Sequence, residues 1–170
     1  MMKKYCTLKE DQQLKVGAIM VTGTTTTEIW VNFVKEAQFL ANTKLPENLE
    51  SYTVLMLQRF TRRTDFDAVP FAIQCLEAGT KGMKFQRKMK LAETADASLI
   101  MAGFFPERAR RLNVSDSYFM NISEMCYREL AQICEYLKCK KEAVDFQEIG
   151  DNILLIAGTL RAARNKQPYY

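Results

Sequence analysis

The chain has 170 residues, 48% hydrophobic and 26% charged, with a formal charge of +4. A chain of that length buries about 70% of the surface its unfolded form exposes and needs no metal or disulfide staple to hold a core. It contains no histidine, which excludes Ser-His-Asp and Cys-His nucleophile pairs, histidine general bases and histidine-containing metal sites.

The opening Met1-Met2-Lys3-Lys4 is basic, but Glu10, Asp11, Gln12 and Gln13 interrupt any apolar signal core. The longest apolar run, residues 153–157, is far too short to cross a bilayer. The expectation is a cytoplasmic protein with no transmembrane segment. Residues 1–23 read as an irregular N-terminal segment in which residues 16–21 form either a short strand or an irregular apolar stretch, since Gly17 and Gly23 weaken a helix. From Thr24 onward the pattern is helical. The hydroxyls of residues 24–27 are candidate caps for a first helix whose apolar residues Ile29, Phe33, Ala37 and Leu40 recur every three or four positions. Pro46 and Glu47 open a second helix with Leu49, Tyr52, Met56 and Phe60 on its buried face. Pro70 starts a short third helix that stops at Gly79.

A fourth helix runs over residues 83–104, and Phe105-Pro106-Glu107 then turns the chain into a short basic turn over residues 108–111. Ser115 is the expected cap of a fifth helix ending near Leu137, and a sixth spans residues 141–164. Short connections make consecutive helices antiparallel. The predicted fold is therefore all-α: residues 24–170 form a single-domain antiparallel bundle of about six helices, preceded by the irregular segment 1–23.

Chemistry-bearing residues are few. The fourth helix places Phe85, Met89, Ala92, Leu99 and Gly103 on one face, and Asp96 shares that face by spacing. A carboxylate on an apolar stripe requires a partner, and Arg108, Arg110 and Arg111 just past the turn are the candidate cations. The pair reads as a structural pin, and the alternative is a ligand or catalytic site centred on Asp96. A candidate basic patch comprises Lys81, Lys84, Arg87, Lys88 and Lys90, preceded by a GxxG at residues 79–82. Such a loop clamps nucleic acid in KH domains, but that fold needs a three-stranded sheet, so a glycine helix end followed by a solvated face is preferred. The cysteines Cys6, Cys75, Cys126, Cys134 and Cys139 are odd in number and irregular in spacing, which points to reduced thiols. Cys134 and Cys139 lie five apart in a predicted helix, without zinc-ribbon spacing. No cofactor motif is present.

Leu45-Pro46 with residues 52–57, then Ala95-Asp96, Gly103-Phe104-Phe105-Pro106-Glu107 and Arg110-Arg111, then Tyr118-Phe119, Ile122 and Cys126-Tyr127 together form a recognisable series. Over residues 45–164 the chain resembles a family of uncharacterised all-helical proteobacterial proteins with a GFFPE-type motif. Ala95 and Ser123 depart from that pattern, standing where the family has glycine. The resemblance implies a helical bacterial cytoplasmic protein and carries over no catalytic residue. The expected function is a non-enzymatic adaptor or accessory subunit, chaperone-like, of a bacterial assembly such as a secretion system. Its partner would be another protein or a second copy, met through Ile19, Met20 and Val21. The alternatives are a nucleic-acid-binding regulator acting through the basic patch, which is disfavoured, and a small-molecule binder or enzyme at Asp96.

Overall fold

The computed structural model describes residues 14–16, 19–21, 25–61, 84–115 and 117–165. The fold is all-α apart from a short hairpin of strands β1 (Leu14–Val16) and β2 (Ile19–Val21). The helices are α1 (Thr26–Leu40), α2 (Glu47–Phe60), α3 (Lys84–Phe104), α4 (Glu107–Arg111), α5 (Tyr118–Tyr136), α6 (Lys140–Asp151) and α7 (Ile153–Asn165). The predicted short helix at residues 70–79 lies outside the described residues. Among those residues no helix is long and apolar enough to cross a membrane. The chain divides into two compact units, one of Met1–Thr64 with Gly158–Tyr170 and one of Asp65–Ala157.

In the first unit, β1 and β2 pair antiparallel with Val16 opposite Ile19 and Leu14 opposite Val21. The N-terminal segment is thus not wholly irregular, and β2 runs beside α1. Ile19, Met20 and Val21 therefore have a place in the fold. Helix α1 starts where Thr25, with extended backbone, accepts the Glu28 amide at 3.2 Å. It buries Ile29, Trp30, Phe33, Val34 and Ala37, and Trp30 meets Phe33 edge to face. The pattern of α2 is wider than its predicted stripe: Thr53, Val54 and Leu57 are buried with Leu49 and Met56, while Tyr52 and Phe60 are half-buried. Gln38 ties the two helices. Its carbonyl oxygen accepts the Leu45 amide at 2.6 Å and its amide donates to Glu50 at 2.8 Å.

The second unit is built around α5, which packs against α3 on one side and α6 on the other. Its residues Phe119, Ile122, Ser123, Cys126, Tyr127, Leu130, Ala131 and Cys134 are buried at spacings of one, three and four. In α3 the predicted face is buried only in its second half, at Leu99 and Gly103, with Ala92 and Asp96 half-buried. Phe85 and Met89 are 67% and 51% exposed, whereas Leu91, Thr94, Ala95, Ser98 and Leu99 are buried. Every residue from 97 to 104 is buried, so the second half of the helix offers no polar face from which periodicity could be judged. The predicted sixth helix is interrupted at Asn152, whose side-chain amide donates to the Glu148 carbonyl at 2.8 Å. That bond competes with the helical ladder. Helix α5 begins at Tyr118 after Ser117, two residues beyond the predicted Ser115 cap.

Three helices end in the same way. Residues Asn42, Asn113 and Lys138 have φ values of 49°, 56° and 61°. In each case the next residue bonds back to the carbonyl five positions earlier: Thr43 to Gln38, Val114 to Ala109 and Cys139 to Cys134. These are Schellman turns, in which a left-handed residue lets the last carbonyls find donors. Asparagine tolerates that conformation, but lysine carries the Cβ penalty of about 1–2 kcal/mol. Lys138→Gly relieves it against a glycine entropy cost of about 0.5–1 kcal/mol. The variant should be more stable than the wild type by up to about 1 kcal/mol, read as a higher urea midpoint at unchanged slope.

Candidate functional site

Asp96 stands on α3 facing α5. The phenol of Tyr127 donates to its Oδ1 at 2.7 Å. Asp96 is half-buried, not fully enclosed as its sequence spacing suggested, because it lies on the flank of the buried face of α3. Tyr127 itself is completely buried. Its ring stacks on Phe146 of α6 with centroids 6.2 Å apart, and a Cβ placed on Gly150 of α6 would lie 3.5 Å from the Tyr127 Cβ. One side chain therefore joins α3, α5 and α6. Beside it the buried Ser123 hydroxyl donates to the Ala95 carbonyl at 3.0 Å, so the two departures from the resembled glycine pattern meet across the α3–α5 contact. Past the Pro106 turn, Arg108 is half-buried with a terminal nitrogen 3.9 Å from the Met101 sulfur, and Arg110 and Arg111 are exposed on α4. The phenol of Tyr127 is a partner of Asp96 that the sequence did not reveal, because an aromatic at helical spacing reads as core and its hydroxyl leaves no periodic signal.

The basic patch is largely occupied within the unit. Arg87 bonds Glu129 of α5 at 2.5 Å, and Lys88 bonds Glu142 of α6. Lys84 lies over the ring of Tyr136, where its hydrogen bond and charge hold the phenol below its ordinary pKa. Lys90 is exposed and has no ion-pair partner among the described residues. Lys81 lies outside those residues, as do the GxxG, Cys6 and Cys75. Sequence reasoning saw the cations and missed Glu129, Glu142 and Tyr136. Antiparallel packing brings those three partners against the start of α3 from the far end of α5 and from α6.

Around Lys88 the geometry also gathers thiols. The Cys134 thiol donates to Glu142 Oε2 at 3.6 Å, and that of Cys139 to the Leu137 carbonyl at 3.7 Å. Cys139 is not helical; it is the residue capping α6. Burial pushes the Cys134 thiol up, with only part of the rise cancelled by the Lys88 charge. Burial pulls the Lys88 ammonium down, but its bond to Glu142 and the neighbouring thiols outweigh this and hold it above its ordinary value. The Lys88 hydrogen bond holds Glu142 below the usual carboxylate range against a smaller opposing effect of burial. Among the described residues no group of three or more histidine, cysteine or acidic side chains could hold a metal ion. No family model, no curated protein and no solved structure matches the chain.

Tyr127→Phe removes one donor from a half-buried carboxylate and should cost about 1–3 kcal/mol in urea unfolding. Asp96→Ala should fall in the same range, below the ~3–5 kcal/mol of a fully buried charge left unpaired. The two effects should be non-additive in a double-mutant cycle. The Glu142 carboxyl, with its pKa lowered by folding, contributes stability above the ordinary carboxylate pKa. That contribution disappears as the pH falls through its lowered folded value. Glu142→Gln should accordingly make the urea midpoint less steeply dependent on pH along this acid limb.

Proposed function

We propose that the chain is a non-enzymatic interaction protein, an adaptor or accessory subunit that binds another protein through a helical face. The observation that supports this is a contrast along one helix. The cations Lys84, Arg87 and Lys88 at the start of α3 already have partners on α5 and α6. Phe85 and Met89, one turn apart on the same helix, stay exposed. A phosphate backbone would have to displace those partners before it gained the counterion release that drives nucleic-acid binding. An apolar partner surface would need only to cover Phe85 and Met89, and aromatic and methionine side chains are enriched at such contacts.

Replacing both residues (Phe85→Asp, Met89→Asp) should leave the urea midpoint within about 0.5 kcal/mol, as surface substitutions do. The same variant should lose a specific protein that the wild type retains in affinity purification from its native cell. Binding of duplex DNA or RNA near physiological salt should be no tighter than the nonspecific range of about 10⁻⁴–10⁻⁶ M. An unchanged set of retained proteins would overturn the reading. So would submicromolar nucleic-acid binding abolished by Lys84→Ala with Lys90→Ala.

A further inference from the structure

Two cysteines are joined by a backbone hydrogen bond where α5 ends. In a Schellman turn the third residue from the helix end packs against the second residue beyond it, and here these are Cys134 and Cys139. The Cys139 amide donates to the Cys134 carbonyl at 2.9 Å. A bond of that length holds the two Cα atoms to roughly the 4.4–6.8 Å that a disulfide spans. Cys134 is buried and Cys139 partly exposed, so one thiol is open to a reagent and the other waits behind it. Between them stands Lys138 in its left-handed conformation.

We propose that Cys134 and Cys139 form a dithiol–disulfide site whose co-reactant is a low-molecular-weight disulfide of the glutathione class. The Cys139 thiolate attacks one sulfur of that disulfide, whose S–S bond breaks, and the first thiolate leaves and takes up the proton that Cys139 lost. The Cys134 sulfur then attacks the Cys139 sulfur of the mixed disulfide. A second thiolate leaves with the Cys134 proton, so two protein thiols are oxidised and one small disulfide is reduced to two thiols. The bridge ties the last turn of α5 to the cap of α6 and takes the Cys134 thiol off Glu142. The site is independent of the apolar pair on α3.

The test is to treat the reduced full chain with oxidised glutathione, block remaining thiols with an alkylating reagent, and map tryptic peptides by mass spectrometry. Trypsin cuts after Lys138, so the bridge joins two peptides that otherwise separate. The joined peptide should be the main product at these positions, with loss of both alkylatable thiols and recovery of both on reduction. Cys134→Ser should stop at a glutathione adduct on Cys139. Cys139→Ser should leave Cys134 without an adduct in the folded chain. A wild type that keeps glutathione on Cys139 while Cys134 remains reduced would overturn the proposal, as would an unreacted Cys139. The wild-type map decides the matter even if a serine variant fails to fold.

Discussion

The second unit depends on the burial of one tyrosine hydroxyl. Tyr127 is fully enclosed, and a phenol taken out of water requires an acceptor. Asp96 on α3 supplies it. That bond helps set the rotation of α3 against α5, because with it α3 presents its Asp96 flank while its Leu91, Ala95, Ser98 stripe enters the core. Phe146 of α6 stacks on the Tyr127 ring, and Gly150 of α6 lies close to the Tyr127 Cβ. Small residues make the junction possible: Ala95 and Ser123 let the two helices approach closely enough for a serine hydroxyl to reach a helix carbonyl.

With that rotation set, the charges follow. The first turns of α3 lie beside the end of α5 and the start of α6, so Arg87 and Lys88 meet Glu129 and Glu142. These pairs are partly exposed, and such pairs add little to stability. Their larger effect is on register, since sliding α3 by a turn would set cations against the wrong partners. They also change what the surface offers. A helix with four cations in its first seven residues would look anionic-ligand-binding from the sequence, yet Lys84, Arg87 and Lys88 are partnered and the exposed aromatic and methionine side chains remain.

The left-handed helix ends show how much a local sequence can disclose. Asn42 and Asn113 are the residues expected to stop a helix in that conformation, and the ends of α1 and α4 agree. Lys138 gives no such signal, and its position in the turn follows from where α6 must start in order to cover Tyr127. The same turn brings Cys139 out of the helix and against Cys134. Spacing alone read those cysteines as two residues of a predicted helix, without the spacing of a zinc ribbon.

Periodicity by itself determined the all-α class, the approximate positions of α1, α2, α3 and α5, and the direction change at Pro106, because these rest on interactions within a few residues of one another. It also marked Asp96 as a carboxylate in need of a partner. Tertiary structure supplied the Tyr127 phenol as a partner, and decided which face of α3 is buried and where the last long helix breaks at Asn152. It also decided that Lys84, Arg87 and Lys88 of the basic patch have partners on α5 and α6. Each of these depends on residues distant in sequence meeting across antiparallel helices, and a helix buried on all sides over residues 97–104 has no polar face to reveal its orientation beforehand.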